Sequence, residues 1–424
     1  MIANIPDTNK KRIVIIGGGF AGLKLARKIN KNKFQIVLID KNNFHQFQPL
    51  FYQVATSGLE PSSISFPLRK VFQSNKNIHL RITEVININS QDNEVVTLIG
   101  NIKYDYLVIA TGAISNFFGM QNIQQNSLSM KTISDALNIR NIVLQNFEDA
   151  INTTDIDDRT GLMNIVIVGG GPTGVELAGA LAEMKKFVLP KDYPELDFLP
   201  MKIYLVEASP KLLANMSDNA SEKSKKYLEK LDVTILNNTQ VINFDGRNVV
   251  LKNEIKIRSN TLIWAAGIKG NVINGLNPNA INKANRIKVD KYNKVEGYNN
   301  IFALGDVACM IDDNYPNGHP QIAQVAIQQA KFFSQNILNI INDKPLKSFS
   351  YKDMGTMATI GRNLAVVDFP FIRFSGLFAW FVWMFVHLMA IVGVKNRLLI
   401  FINWFWSYIT YDQSLRLILW SKKK

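Results

Sequence analysis

The sequence predicts an α/β protein with two doubly wound, Rossmann-like dinucleotide-binding domains and a C-terminal amphipathic membrane-binding module. Two observations predict the paired domains: a glycine fingerprint follows a run of β-branched residues near residue 17, and the same pattern recurs near residue 169. A third predicts the module, because the stretch 369–411 contains no Asp or Glu and is rich in Trp and Phe.

The composition sets the limits of this interpretation. A chain of 424 residues with 47% hydrophobic and 19% charged residues is long enough for two folded domains and an appendage. The net charge of +14 indicates an acidic partner: nucleic acid, an anionic membrane or a polyanionic cofactor. We expect no nucleic-acid binding, because no Lys/Arg run is longer than the terminal 422–424 and no nucleic-acid motif is present.

Cysteine and histidine usage excludes several chemistries. The one cysteine, Cys309, excludes an internal disulfide framework, a CxxC redox couple and a cysteine-rich metal site. The four histidines are scattered without ligand-like spacing, so no metal site is expected. Residues 1–10 are short and polar and do not look like a signal peptide, so we expect the catalytic body on the cytoplasmic face of the cell membrane.

The first fingerprint is IVIIGGGFAG, residues 13–22. Gly17 permits a tight turn, Gly19 lets the backbone approach a pyrophosphate, and Gly22 lets the helix pack closely on the strand. The helical pattern that follows presents its N-terminus to the phosphates. The next strand, FQIVLID, ends at Asp40, whose carboxylate is expected to accept hydrogen bonds from a ribose.

The second fingerprint repeats this spacing at Gly169, Gly171 and Gly174, after the strand NIVIV. The acidic end of its next strand is Glu207, which comes later than the usual ~20 residues. We interpret the intervening 185–200 as a helix extension and a loop. Two complete fingerprints in one chain indicate that two dinucleotides are bound.

Three further segments complete the pattern. The segments 104–112 (YDYLVIATG) and 261–267 (TLIWAAG) are each a strand ending in a small-residue turn, and 301–308 (IFALGDVA) places Asp306 after a buried strand. This order resembles the flavoprotein superfamily with two dinucleotide-binding domains that includes the disulfide reductases. The resemblance implies that FAD, held non-covalently, contacts Gly17, Gly18, Gly19, Phe20, Ala21, Gly22, Asp40, Lys41, Val85, Thr111, Gly112 and Asp306. It implies that NADH contacts Gly171, Gly174, Glu207 and Gly267. Asp306 has a second, compatible interpretation as a helix cap.

NADH is expected rather than NADPH because of charge. Glu207 would repel a 2′-phosphate, and no arginine stands beside it, although Lys211 is nearby.

The position of the cysteine and several segments outside the glycine fingerprints indicate the branch of the superfamily. Cys309 is in none of the positions that the disulfide, sulfide or peroxide branches require, so we expect it to be a small buried residue. The segments 46–69 and 320–329 resemble the type II NADH:quinone oxidoreductases, as do 357–367, 380–389 and 394–411. This resemblance implies that NADH reduces FAD and that the electrons pass to a membrane quinone without proton pumping. No EF-hand loop is present, so calcium control is not implied.

The segment AQVAIQ carries the candidate quinone site. Gln324 and Gln328 are four residues apart, so both amides lie on one face of a helix, where they can bind a quinone carbonyl without adding charge. Pro320 stands where that helix is expected to begin. The alternative is an ordinary polar helix face. The resemblance adds Lys395 to the quinone site.

Glu176 follows the second fingerprint by two residues. We expect it in the first turn of the helix, where a carboxylate that complements the helix dipole is an equally good interpretation. The resemblance implies a catalytic position near the nicotinamide and the flavin, where Glu176 orients NADH or relays a proton towards the quinone.

The C-terminal segment favours a membrane interface. Five of the six tryptophans fall in it, Trp380, Trp383, Trp404, Trp406 and Trp420. The 21 residues between Arg373 and Lys395 reach the ~20 needed to span a bilayer, but Gly376 and Gly393 shorten the helix to about 16. We therefore expect interfacial amphipathic helices on an anionic lipid surface, aided by Arg397 and the terminal lysines. The same surface suits a homodimer.

The sequence thus divides into an FAD domain at 1–150 and 291–345, an NADH domain at 151–290 and a C-terminal anchoring and quinone-access module at 346–424. Two alternatives remain: a soluble NADH:ferredoxin-type reductase, and a membrane-tethered nucleotide sensor that binds both cofactors without turnover.

Overall fold

In the computed structural model, residues 3–412 and 415–419 are described, and the chain forms two compact units. The first unit comprises Met1–His45, Phe66–Ile114 and Ile268–Asp353; the second comprises Gln46–Ser65, Ser115–Gly267 and Met354–Lys424. Trp420 and the terminal lysines 422–424, which the sequence assigns to the membrane surface, lie outside the described residues.

The α-helices are α1 Phe20–Lys28, α2 Phe51–Ala55, α3 Leu68–Phe72, α4 Gln121–Asn126, α5 Ile133–Ile151, α6 Ile156–Met163, α7 Pro172–Phe187, α8 Leu189–Asp192, α9 Asp218–Lys230, α10 Ala323–Ile341, α11 Leu377–Ala390 and α12 Val394–Thr410. The strands are β1 Lys11–Ile16, β2 Phe34–Asp40, β3 Phe44–Gln46, β4 Ser65–Pro67, β5 Ile78–Ile82, β6 Val85–Asn89, β7 Glu94–Thr97, β8 Gly100–Lys103, β9 Tyr106–Ile109, β10 Ala113–Ser115, β11 Leu128–Ser129, β12 Ile165–Val168, β13 Ile203–Val206, β14 Val233–Leu236, β15 Val241–Phe244, β16 Asn248–Leu251, β17 Lys256–Arg258, β18 Thr261–Trp264, β19 Ile268–Gly270, β20 Ile287–Val289, β21 Ile301–Ala303, β22 Ala308–Met310, β23 Thr356–Gly361, β24 Leu364–Asp368 and β25 Arg373–Ser375.

The first unit is built on a parallel sheet in the order β21-β9-β1-β2-β5. The central strands are apolar on both faces, and Ile13, Val14 and Ile15 are fully buried. One face packs against the antiparallel sheet β6-β7-β8, where Val14 and Ile16 share a core with Ile88 and Val95. Helix α1 starts directly after the glycine turn that ends β1 and packs against α10. The carboxyl ends of β1, β2, β9 and β21 therefore share one edge, where doubly wound sheets bind ligands.

The second unit repeats this plan with a parallel sheet in the order β11-β18-β12-β13-β14. Helix α7 starts after the turn that ends β12, as α1 does after β1. The interpretation of 185–200 as a helix extension and a loop is correct, because α7 runs to Phe187 and only α8 follows in that stretch.

The compact units divide the chain differently from the predicted domains. Residues 115–150 belong to the second unit because α5 packs on α2, β11 and β18, and 268–290 belong to the first. The predicted boundaries describe which residues bind each cofactor, whereas the compact units describe packing. The predicted domains therefore stay a prediction: the FAD domain at 1–150 and 291–345, the NADH domain at 151–290 and the C-terminal module at 346–424.

The C-terminal residues of the second unit form an antiparallel sheet, β23-β24-β25, followed by α11 and α12. Strand β23 packs on α7, and β24 packs on α9 and α11. Both final helices expose apolar side chains, among them Phe378, Phe381, Phe385, Leu398, Phe401, Phe405 and Trp406. Within residues 3–412 and 415–419, no helix has both the length and the apolarity to cross a bilayer.

Candidate functional site

The glycine turn of the first unit has the geometry of a phosphate cradle. Gly17 has φ +104°, and a Cβ there would stand 2.3 Å from the carbonyl oxygen of Ala110. A Cβ on Gly22 would stand 1.8 Å from the carbonyl oxygen of Gly17, so this glycine permits the close helix–strand contact. At Gly19, no other atom of the described chain lies within 4 Å of that position. The turn therefore leaves open space at the N-terminus of α1, where N–H groups attract an anion.

Asp40 holds this turn at the end of β2. Its Oδ2 accepts a hydrogen bond from the N–H of Gly18 at 2.5 Å, and its Oδ1 accepts one from the N–H of Asn42 at 2.7 Å. Burial raises the pKa of the Asp40 carboxyl, and these backbone N–H groups oppose the rise. Since a carboxylate has about four acceptor positions, two remain for ribose hydroxyls.

His45 is a component of this turn that sequence reasoning missed. Its Nδ1 donates to the carbonyl oxygen of Gly18 at 3.0 Å, and its ring meets Phe20 edge-on, with 5.3 Å between ring centroids. Burial lowers the pKa of His45, which keeps the ring neutral. A lone histidine in the short strand β3 belongs to no sequence motif, so only the fold identifies it.

Thr111, Gly112 and Asp306 lie in the first unit at the ends of β9 and β21. Thr111 Oγ1 donates to the carbonyl oxygen of Asn271 at 2.5 Å, and Gly112 has φ +72°. Asp306 lies inside the short 3₁₀ helix Gly305–Val307, whose N-cap residue is Leu304. The interpretation of Asp306 as a helix cap is therefore wrong.

The other two residues predicted to contact FAD are less distinctive. Val85 begins β6 and packs against the core of the first unit. Lys41 is exposed directly after Asp40.

The glycine turn of the second unit matches the first closely. Gly169 has φ +111°, and a Cβ on Gly174 would stand 1.9 Å from the carbonyl oxygen of Gly169. Around the position that a Cβ on Gly171 would take, no non-neighbouring atom of the described chain lies within 4 Å. Gly267, which ends the β18 segment, has φ +68°. Both units thus present the same cradle at a helix N-terminus.

Glu207 takes the place in the second unit that Asp40 takes in the first. Its Oε2 accepts from the N–H of Gly170 at 2.5 Å, and its Oε1 accepts from the N–H and hydroxyl of Ser209. Lys211 forms an ion pair with Asp218 at 2.6 Å. Lys211, the cation that could have bound the 2′-phosphate of NADPH, is therefore already paired with a carboxylate.

Glu176 has surroundings that the sequence did not predict. It lies in the second turn of α7, since the helix begins at Pro172, so its placement in the first turn is wrong. Its side chain is buried, with 7% exposed, and its Oε1 accepts from Trp383 Nε1 at 3.2 Å and from the N–H of Thr359 at 3.4 Å. Burial raises the pKa of Glu176 to about 8. A carboxyl with this pKa holds a proton at neutral pH and can release it.

Glu176 opens onto a cavity of about 130 Å³ within the second unit. The cavity is lined by residues of α2, α7, the β23–β24 turn, α11 and α12. Its polar and aromatic lining includes Tyr52, Gln53, Glu183, Arg362, Trp380, Trp383, Trp404, Tyr408 and Tyr411. These residues come from five separated stretches of sequence, so no local motif could have found them.

Gln324 and Gln328 lie on one face of α10, as predicted, and both meet the segment 351–352. Gln324 Oε1 accepts from the hydroxyl of Tyr351 at 3.3 Å. Gln328 donates to the carbonyl oxygen of Lys352 at 2.8 Å and accepts from its N–H at 3.1 Å. Helix α10 begins at Ala323, so the expected start at Pro320 is wrong; residues 320–322 form a bend.

Lys395 lies in the second unit, whereas both glutamines lie in the first. It is exposed in the first turn of α12. Cys309 is buried, as expected, at 4% exposure.

Comparison with known proteins decides between the candidate functions. The sequence matches the pyridine nucleotide-disulphide oxidoreductase family over residues 11–330 and the NDH2 C-terminal domain over 354–410. The type II NADH:quinone oxidoreductase Ndh of Mycobacterium tuberculosis is 32% identical over 416 residues, which covers 95% of this chain and 89% of the relative. NdhA of the same organism is 33% identical over 417 residues, covering 94% and 87%.

The chain belongs to the type II NADH:quinone oxidoreductases. The fold agrees: NDH2 from Plasmodium falciparum in complex with NADH has a TM-score of 0.89 at 23% identity, covering 97% of this chain and 100% of that one. The predicted fold class and family are confirmed. This type II enzyme is a peripheral membrane protein that oxidises NADH, uses FAD and reduces a quinone. The match over 354–410 favours this activity over the soluble reductase and the nucleotide sensor.

The residues of this type II enzyme fit FAD. The first unit offers an open glycine cradle at the start of α1, and Asp40 retains acceptor positions at the end of β2. When bound, FAD supplies the two-electron chemistry that links NADH oxidation to quinone reduction.

Proposed function

We propose that the chain oxidises NADH through FAD and reduces a membrane quinone without pumping protons, with Glu176 as the residue that holds the proton required for quinol formation. The observation that carries the role of Glu176 is its burial with a pKa raised to about 8, beside the indole N–H of Trp383. The overall reaction takes one proton from solution for each NADH, because the hydride supplies only one of the two protons that quinol gains.

The dinucleotide contacts are proposed to follow the two cradles. FAD is assigned to the first unit, at Gly17, Gly18, Gly19, Phe20, Ala21, Gly22, Asp40, Lys41, Val85, Thr111, Gly112 and Asp306. NADH is assigned to the second unit, at Gly171, Gly174, Glu207 and Gly267. The helix N-termini attract the phosphates, and the carboxylates at the strand ends accept from ribose hydroxyls.

The quinone is proposed to bind at Gln324 and Gln328 on α10. The assignment of Lys395, which lies in the second unit, stays a prediction from the family resemblance. The amide of Gln328 is held by the backbone of Lys352, and its second N–H can donate to a quinone carbonyl. Replacing Gln324 by alanine is expected to raise KM for quinone and to spare flavin reduction by NADH.

The test of this function separates the two half-reactions. Anaerobic addition of NADH should bleach the flavin absorbance within the dead time or in a single fast phase, and a quinone should restore it. Bleaching that no quinone reverses would favour a different electron acceptor and contradict the proposal.

A homodimer on the cytoplasmic face, bound to anionic lipid and not to nucleic acid, completes the proposal. It is supported by the apolar side chains that α11 and α12 expose and by the adjacent cations Lys395 and Arg397. Such a surface combines apolar burial with about 1 kcal/mol per cation on an anionic leaflet. Cosedimentation with anionic but not neutral vesicles, and a dimer mass in mild detergent, would support it.

A further inference from the structure

The cavity beside Glu176 contains a second carboxylate that the proposed function does not use. Glu183 lies seven residues further along α7 and lines the same cavity, with Ala180 between them. Residues at i, i+4 and i+7 share one helix face, and seven residues rise about 10 Å along the axis. The two carboxylates make no direct hydrogen bond to each other but border one cavity.

The cavity is large and polar enough to hold water. A cavity needs roughly 10–15 Å³ for one water molecule, and this one measures about 130 Å³. Its polar groups include the buried Nε and Nη1 of Arg362, which have no hydrogen-bond partner within residues 3–412 and 415–419. Buried donors of this kind require water or another acceptor, so we expect water molecules in this cavity.

Of the two carboxylates that line the cavity, Glu183 is the more accessible to solvent. Its side chain is partly exposed, whereas that of Glu176 is buried. Glu183 Oε1 accepts from the N–H of Arg362 at 2.6 Å, and the guanidinium of Arg362 lies 4.0 Å and 3.9 Å from the ring centroids of Tyr408 and Tyr411. These contacts fix the position of one carboxylate oxygen and leave the other for water.

We propose that Glu183 takes up a proton from solution and passes it through the water of this cavity to Glu176. The inference rests on the proposed role of Glu176 and extends it to the source of the proton. One proton leaves the Glu183 carboxyl for water, another leaves water for Glu176, and Glu183 is reprotonated from solution. No electron moves in this step, and each turnover consumes one proton.

The electrostatics of the cavity agree with this assignment. Burial raises the pKa of Glu183, and the backbone N–H and charge of Arg362 oppose the rise. Burial and the charge of Glu176 raise the pKa of Tyr52 well above its ordinary value, so its hydroxyl stays neutral. The titratable and charged groups that face Glu183 from the surrounding elements are Tyr52, Glu176, Arg362, Tyr408 and Tyr411.

The test uses the isosteric change Glu183→Gln in the FAD-bound enzyme. Glutamine keeps the oxygen that accepts from the N–H of Arg362 but cannot carry the proton. Reoxidation of the reduced flavin by quinone should slow on the order of 10²-fold, the lower end of the range for loss of general acid–base catalysis. Flavin content, thermal unfolding and reduction by NADH should match the wild type. The control Glu222→Gln removes an exposed carboxylate paired with Lys226 and should change neither half-reaction.

Chemical rescue separates proton transfer from a structural role. Imidazole, a small diffusible proton donor, should restore flavin reoxidation in Glu183→Gln and leave the control unchanged. A wild-type rate in Glu183→Gln, or a loss that imidazole does not restore, would overturn the proposal. If Glu183→Gln does not fold, Ala180→Leu decides, because it fills the space between the carboxylates and should slow reoxidation without changing either one.

The same measurements on Glu176→Gln distinguish this inference from the proposed function. Slow reoxidation in Glu176→Gln with a normal rate in Glu183→Gln overturns only the uptake path. A normal rate in Glu176→Gln contradicts the proposed function and, with it, the path to Glu176.

Discussion

The two fingerprint helices, α1 and α7, begin alike and then differ. Both follow a buried parallel strand, both have an open glycine at the phosphate position, and both have a third glycine whose Cβ would stand within 1.9 Å of a carbonyl oxygen. Two residues after that third glycine, α1 has Lys24, which is partly exposed, whereas α7 has the buried Glu176. The glycine pattern therefore specifies a nucleotide cradle but not the chemistry beside it.

The difference comes from what packs against each helix. Helix α1 packs on α10 and ends at Lys28, whereas the sixteen-residue α7 packs on β23 of the C-terminal segment. The contact is close at Gly179, where a Cβ would stand 1.6 Å from the carbonyl oxygen of Ile360. This contact brings the N–H of Thr359 to Glu176. The C-terminal segment thus changes a nucleotide-binding helix into one that holds a buried acid.

The largest expected effect comes from matched changes at the third glycines, Gly22→Ala and Gly174→Ala. Each added Cβ would overlap a backbone oxygen. The energetic cost of this overlap should exceed the usual cost of overpacking a core, about 1–3 kcal/mol. Gly22→Ala should be purified without FAD, whereas Gly174→Ala should be yellow but should not be bleached by NADH. Absorbance spectra before and after NADH distinguish the two, and loss of FAD from Gly174→Ala alone would reverse the cofactor assignment.

The next largest effect is expected on the pH dependence of the free energy of unfolding, through Glu176. The pKa of Glu176 is about 8 when folded and 4.5 ordinarily, so between these values the folded protein keeps a proton that the unfolded chain releases. Stability is therefore lost as the pH rises through this window, by at most about 4–5 kcal/mol. Glu176→Gln should unfold at a higher temperature than the wild type at pH 9 and at nearly the same temperature at pH 4. Equal differences at both pH values would contradict the raised pKa.

A smaller effect is expected at the strand ends. Glu207→Ala should narrow the preference for NADH over NADPH by about 1–3 kcal/mol, because the ribose loses an acceptor and a 2′-phosphate loses its repulsion. Comparable kcat/KM for both nucleotides in the wild type would contradict this role of Glu207.

The smallest effect is expected at Lys24. Lys24→Gln should change the rate of flavin reoxidation by less than about twofold, since a partly exposed lysine contributes little. A much slower reoxidation in Lys24→Gln would mean that the residue two positions after the third glycine is important in both units. The proposed difference between Lys24 in α1 and Glu176 in α7 would then be wrong.

The sequence predicted the fold, the cradles and the acidic strand ends because each is a local pattern with a backbone reason. It placed Glu176 near the chemistry only through family resemblance. Trp383, which donates to Glu176, lies 207 residues away. Arg362 and Glu183 acquire their surroundings only when β23 packs on α7 and residues of α11 and α12 line the adjacent cavity. Burial, and with it a raised pKa, depends on these distant contacts, so no spacing rule could give it.

The most direct test of the role of Glu176 is the rate of flavin reoxidation by quinone in wild type and Glu176→Gln, measured by stopped flow from about pH 6 to 9. The wild-type rate should fall as the pH rises through about 8, where Glu176 loses its proton. The mutant should remain yellow, be reduced by NADH at the wild-type rate, and show a reoxidation rate on the order of 10²-fold lower and independent of pH. A mutant that follows the wild-type rate and pH profile throughout this range would contradict the account.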